Sequence, residues 1–512
     1  MPKISYKSFH LLSKKQRRHR VRMELNKHDS QFESLHDDHE NSSSLENQWV
    51  SHDINSEDEG SINVSTGEGA VDLEDIDVSD ACSSSSSDSD CSEGNLSNAD
   101  LYHELSLWAG NIPRHKVTSL LKILKKHSCF KNFPVDVRTL RKTPRSLEVE
   151  KLGLGEFVYL GVAESLKYEL MCLNDVSFED IKLQINVDGL PLTRSSGSQF
   201  WPILASVVDR TEMARPFLVA IYWGHQKPMS CEQYLTPLLN ELVQLENDGF
   251  TYRGTRISIR VHSFVCDAPA RAFVLQTKGH NSYSACHRCH VKGTIVKNRM
   301  VFLELESEKR TDEKFMLGDD PGHHIGVSPL ARLSTFDMVK DVPFDYMHLI
   351  CLGVTRKMLL SLTQETCAVK LRARTRVEIN NELVRIARYT PHDFQRKPRP
   401  LTELMRWKAT ELRYFCMYLV PLIAPFFVNE AVRNHFMSFF YALRILANAS
   451  LCENKQFFSY AETLLNYVVS VFPSLYGQHN CTYNVHCLLH VCEDVARFGT
   501  LDSYSAFKYE NY

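Results

Sequence analysis

Residues 264–290 read FVCDAPARAFVLQTKGHNSYSACHRCH, an apolar strand running into Asp267 and followed nineteen residues later by Cys286-x-x-Cys289. A second aspartate, Asp188, stands in an Asp-Gly step within the alternating stretch IKLQINVDGLPL (181–192). Carboxylates brought together from neighbouring strands cannot both ionise comfortably without a counter-charge, so such pairs commonly bind divalent cations. Two metal ions ~3.5–4 Å apart, bridged by an aspartate, would activate water or a 3′-hydroxyl and stabilise the leaving oxygen of a phosphodiester. The plainer alternative is that each aspartate ends a strand and opens a turn. That alternative accounts well for one Asp-Gly step and less well for two aspartates on the right strands.

The Cys286/Cys289 spacing is that of a zinc knuckle, with Gly293 following as a turn residue. Tetrahedral zinc needs two more ligands. His287 and His290 are adjacent in sequence but badly placed for the same ion. His486 and His490, in NVHCLLHVCEDV, fall one turn apart on an expected helix and share a face. Alone, that pair would read as core histidines; beside an unmatched Cys-x-x-Cys it reads as the other half of a zinc site. His323-His324 and His348 (FDYMHLICLG) read as turns or as support for the site.

The positioning elements follow from hydrophobic period. Strands are expected at EFVYLGV, 181–192, 200–209, 215–224 and 255–267, with an amphipathic helix over 229–249 ended by Gly249. In that order Asp188 and Asp267 end strands that could lie side by side. Beyond 330 the pattern is helical, in TRKMLLSLTQ, TRVEINNELVRIARY, ATELRYFCMYLVPLIAPFF, NHFMSFFYALRILANA and FSYAETLLNYVVSVF. Upstream, ADLYHELSLWAG and IPRHKVTSLLKILKKH predict two helices broken at Gly110 and Pro113. These form either a DNA-binding unit or a helical packing or dimerisation element.

The 512-residue chain has enough material for several domains, and its 43% hydrophobic and 24% charged residues are ordinary for a soluble globular protein. No apolar run approaches the ~20 residues that span a bilayer, so no membrane partner is expected. Fifteen cysteines without a signal-like start point to reduced thiols. The net charge of −3 hides a strong segregation: residues 1–27 hold nine Lys/Arg and one acid, and 28–113 hold 21 acids and no Lys/Arg. Residues 114–512 hold 50 Lys/Arg against 40 acids, a basic body suited to a polyanion such as DNA. KKQRRHRVR (14–22) reads as a nuclear-localisation or nucleic-acid patch. The Ser- and acid-rich arm 28–98 is expected to be disordered.

Taken together and in order, VDGLPL, CDAPARA, YSACHRCHVKG, FDYMHLICLGV, WKATELRYF, NVHCLLH and FGTLDSYSAFKYENY resemble the transposase of CACTA (En/Spm-type) DNA transposons and its domesticated relatives, across residues 100–512. That superfamily is in turn similar to the catalytic core of the V(D)J recombinase. The resemblance implies an α/β fold with a ribonuclease-H-like mixed sheet, interrupted by a long all-helical insertion. It implies a D-D-E triad that binds Mg²⁺ or Mn²⁺, and a structural Zn²⁺ held by Cys286, Cys289, His486 and His490. The triad would be Asp188, Asp267 and Glu510, with Glu411 of WKATELRYF as the alternative third acid. The expected layout is a basic tail (1–27), the acidic arm (28–98), a small helical element (99–150), the catalytic core (151–295), the helical insertion (296–480) and a closing segment (481–512). Because the sequence ends two residues after Glu510, its helix is barely begun, which suits a fragment or a decayed copy. The implied activity is nuclear DNA strand cleavage and strand transfer by a homo-oligomer, with no small-molecule substrate. A domesticated, non-catalytic DNA- or chromatin-binding protein is the competing expectation.

Overall fold

The structure is a computed structural model. It describes residues 98–109, 112–141, 143, 147–171, 179–193, 197–208, 215–318, 320–363, 367, 369–510 and 512. The expectations for the basic tail and for residues 28–97 of the acidic arm lie outside the described residues. The described chain divides into two compact units meeting at residues 148/149.

The first unit holds helices Asn98–Ala109, Arg114–Leu124 and Val137–Leu140. Ala109, Val117, Leu121, Phe133, Val137 and Leu140 form its core. Arg141 donates to the carbonyls of Ala109 and Ile112, and Tyr102 donates to the carbonyl of Thr139 at 3.2 Å, so the last helix is tied back to the first.

The second unit is built on an eight-stranded mixed sheet: β1 (Glu150–Leu152), β2 (Gly155–Tyr159), β3 (Asp180–Val187), β4 (Leu190–Pro191), β5 (Gln199–Val207), β6 (Phe217–Gly224), β7 (Phe250–Tyr252) and β8 (Thr255–Cys266). The spatial order is β1-β2-β6-β5-β3-β8-β7, with β4 paired to β5. β3 lies between an antiparallel β5 and a parallel β8. Parallel neighbours require a crossover, and helix Cys231–Asp248 lies on that connection. Ser230 caps its start by accepting from the Gln233 amide, and Gly249, at φ 73°, ends it. Tyr234, Leu235, Leu238, Leu239, Leu242 and Leu245 give this helix a continuous buried face.

The central strands β3 and β5 and the end of β8 are buried on both faces, so successive residues along them face two different cores. Ile203, Ala205, Phe264 and Cys266 pack with the crossover helix, whereas Leu204 and Val265 join the core of the helical region. On that second face β3 and its neighbours also carry polar side chains, and these find partners in the last turn of the described chain. The Tyr509 hydroxyl lies 2.9 Å from Ser206 Oγ and donates toward the carbonyl and side-chain oxygens of Gln184 at 3.1 and 3.2 Å. Residues nearly the whole length of the unit apart are thereby joined through the centre of the sheet.

The helices expected beyond 330 are present, at Arg356–Thr363, Ala373–Tyr389, Ala409–Tyr414 with its continuations, Glu430–Leu446 and Lys455–Tyr476. The region 296–480 is nevertheless not all-helical. A hairpin of β9 (Thr294–Val296) and β10 (Arg299–Val301) opens it, turning through Lys297 and Asn298 at φ 50° and 60°. Two successive left-handed residues suit the tight turn of a hairpin. With three residues per strand, no alternation was long enough to be read.

Removing the hydroxyl of Tyr509 in Tyr509→Phe takes the Tyr509 contact from Ser206 Oγ and from the Gln184 side-chain oxygen, while the Gln184 amide keeps Ser263 and the Ser503 carbonyl. The unfolding free energy should fall by about 1–3 kcal/mol, measured by denaturant titration of the purified chain.

Candidate metal centre and acidic cluster

Two clusters emerge from this frame. In the first, Cys286, Cys289, His486 and His490 are all buried, with their ligand atoms mutually within 4.8 Å. Cys286 Sγ lies 3.5 Å from His490 Nε2, Cys289 Sγ 3.3 Å from His486 Nε2, and the two Nε2 atoms are 3.4 Å apart. Zinc bonds of about 2.3 Å to sulfur and 2.0 Å to nitrogen, in a tetrahedron, imply edges of about 3.5 Å for S–N and 3.3 Å for N–N. The observed edges match those values, so this Cys₂His₂ cluster could bind a structural metal such as zinc.

The histidines sit where a helix tightens: helix Tyr483–Cys487 passes into a 3₁₀ turn, Leu488–His490, and then into helix Val491–Phe498. Ring packing orients them. His490 stacks on Phe344 (centroids 5.8 Å apart, planes 19° apart), and His486 tilts over Phe302 (5.8 Å). Burial lowers the His490 pKa, but Cys286 and Cys289 outweigh it and raise it to about 9. The intervening Arg288 forms a fully buried ion pair with Asp494, whose other oxygen accepts the Phe344 amide at 2.9 Å. The two halves of the cluster are thus joined by a second, purely protein link.

In the second cluster, ligand atoms of Asp188, His348 and Glu510 also lie within 4.8 Å of one another. The register pairs Val187 with Cys266, so Asp188 and Asp267 each stand one residue past a paired position, at the same end of the sheet. The Asp188 carboxylate accepts from the Gly189 amide at 2.7 Å. A Cβ at Gly189 would come within 3.0 Å of the Trp201 indole, which explains the Asp-Gly step. Asp267 caps helix Ala268–Val274, accepting from the Ala270 amide at 2.7 Å. Burial, with a contribution from Asp267 and Glu510, pushes Asp188 up to about 8.

His348 enters through a residue that spacing did not single out. Asp345 is buried and accepts His348 Nδ1 at 2.6 Å, the His348 amide at 2.8 Å and the Ala506 amide at 2.6 Å. One carboxylate therefore orients the imidazole and anchors the segment leading into helix Phe507–Glu510. Burial lowers the His348 pKa, but the bond to Asp345 and the charges of Asp188 and Asp267 reverse this and raise it to about 9. Its Nε2 faces Glu510 at 3.8 Å. His348 lies on a π-helical turn, Met347–Thr355, packed so closely that a Cβ on Gly353 would meet Asn484 at 2.5 Å. Such turns recur at functional sites.

Glu411 is held elsewhere. Both its oxygens take Arg399, at 2.6 and 2.9 Å, and one also accepts the Lys408 amide at 2.8 Å, capping its own helix. Asp188 is joined by Glu510, and the alternative third acid is a buried structural group. Among the paired histidines read as support, His323 donates from Nδ1 to the Ser284 carbonyl at 2.6 Å, inside the fold.

Fold and site define a mixed α/β protein with a buried Cys₂His₂ cluster and, at the end of its central strands, a separate cluster of carboxylates around a histidine. No family model matches the chain, and no curated protein matches it. No helix among the described residues is long and apolar enough to cross a membrane.

The four-ligand cluster predicts one zinc per purified chain, lost in both Cys286→Ala and His490→Ala and retained in Lys309→Ala. Because structural zinc contributes about 10–16 kcal/mol in small zinc-binding peptides, chelation should lower the melting temperature by many degrees. Metal analysis and thermal melts of the same samples check both.

Proposed function

We propose that this protein is a transposase-like DNA-processing enzyme, cleaving and rejoining phosphodiesters by a D-D-E mechanism on a ribonuclease-H-like core. The observation that carries the reading is the convergence of Asp188, His348 and Glu510 beside Asp267, from segments spread over more than three hundred residues. The strand order β6-β5-β3-β8, with β3 antiparallel to β5 and parallel to β8, supports the core assignment. So does the position of both aspartates at one end of the two parallel strands. The Cys₂His₂ cluster supports the expected zinc link between the segment after Asp267 and the segment before Glu510.

The donor set suits hard divalent cations, Mg²⁺ or Mn²⁺, because it is rich in carboxylate oxygen. Asp188, Asp267 and Glu510 would hold them. Bound there, the ions would supply an activated water or 3′-hydroxyl and stabilise the leaving oxygen. The chain's own groups prepare that site. Asp345 fixes the imidazole of His348 so that Nε2 faces the acids, and the positive charge of His348 offsets carboxylates that crowd together. Tyr509 and Asp345 hold Glu510 from both sides of its helix. On this reading the partners are transposon ends and target DNA, the active form is a homo-oligomer, and the protein works in the nucleus.

The capping bond of Asp267 to Ala270 gives the second reading its footing. A domesticated DNA- or chromatin-binding protein would keep that bond and the zinc cluster without cleaving.

Asp188→Asn and Glu510→Gln should each lower Mg²⁺-dependent strand cleavage at least about 100-fold, the equivalent of about 2.7 kcal/mol of lost charge stabilisation. Duplex affinity should change little. Cleavage of labelled duplexes, scored beside binding, tests this. Wild-type protein that binds DNA but shows no metal-dependent cleavage would leave only the second reading.

A further inference from the structure

The unit of residues 98–148 contributes to neither cluster, and its charge is one-sided. From Leu105 to Val135 the sequence carries six Lys/Arg and no Asp or Glu. Helix Arg114–Leu124 turns Val117 and Leu121 into the unit's core, against Ala109, Phe133, Val137 and Leu140. His115, Ser119 and Lys122 follow at helical spacing on the opposite face, with Lys126 in the turn just past the helix end, all exposed, and Ile123 (62% exposed) beside them. The ion pair found among this unit's described residues, Arg138–Asp136 at 3.0 Å, uses none of these cations.

We propose that this basic stripe docks in the major groove of duplex DNA. The apolar residues that a packing helix would offer a partner are mostly spent inside the unit, leaving a face whose charge fits a polyanion. An 11-residue helix is about 16 Å long and about 10–12 Å across with side chains, and the major groove, about 12 Å wide, admits such a rod. Lys122 and Lys126 would meet phosphates or guanine edges, Ser119 a base edge, and Ile123 a thymine methyl. The proposal rests on the DNA-processing reading for its choice of polyanion, and assigns duplex capture to a surface outside the acidic cluster.

The test uses the full chain, as wild type and as Lys122→Glu/Lys126→Glu, with a fluorescent duplex of mixed sequence titrated at several salt concentrations. The double variant should bind at least about tenfold more weakly, with a salt slope shallower by about two. Its circular dichroism and zinc content should match wild type. Unchanged duplex binding would overturn the proposal while leaving the catalytic reading intact. So would a preference for single-stranded nucleic acid that the double variant shares. Loss of a wild-type dimer, with duplex affinity kept, would make the stripe a self-association face and also overturn it. Absence of metal-dependent cleavage in a wild type that still binds through the stripe would instead sink the catalytic reading alone.

Discussion

A closed chain loop dominates the second unit. Cys286 meets His490 and Cys289 meets His486 at sequence separations of 204 and 197, in a buried space with tetrahedral edges. Loop closure costs entropy that grows only logarithmically with length, so a loop of this size is no great obstacle once a few strong contacts hold its ends. Around the cluster the Arg288–Asp494 pair and the Phe344 amide fasten the same two segments. Breaking any of these buried charged contacts would strand its partner, which is costlier than never having made it.

What the clamp brings with it is the end of the described chain. Sixteen residues after His490, the Ala506 amide binds Asp345, and Tyr509 then reaches through to Gln184 and Ser206 in the sheet. Glu510 arrives beside Asp188 with its helix held at both ends. The arrangement is therefore over-determined: metal-ligand geometry, a buried carboxylate and a buried phenol all specify the same placement. That redundancy gives a four-residue helix a defined position, although a helix that short has little stability of its own.

Much of this was legible in residue type and spacing, and the exceptions have physical reasons. Alternation over 181–192, the apolar runs 200–209 and 215–224, and Gly249 located the central strands and the crossover helix, because β3, β5 and β6 are largely buried and a strand covered on both faces reads as a nearly continuous apolar run. Cys286, Cys289, His486 and His490 could be matched because thiol and imidazole pairs at those spacings have few uses. Asp345 and Tyr509 were invisible as site residues: an aspartate in an apolar stretch and a tyrosine near a terminus have many ordinary roles, and only tertiary contact distinguishes theirs. The hairpin 294–301 was too short to show a period. Glu411, the alternative to Glu510 in sequence, has both its oxygens paired with Arg399.

The most direct test of the central claim is X-ray absorption at the zinc edge of the purified chain. The account predicts a first shell of two sulfurs at about 2.3 Å and two imidazole nitrogens at about 2.0 Å. A shell of nitrogen and oxygen alone, or one with three or four sulfurs, would contradict it. In that case the 286–289 and 486–490 segments would not be joined through metal, and the placement of Glu510 beside Asp188 would lose its principal support.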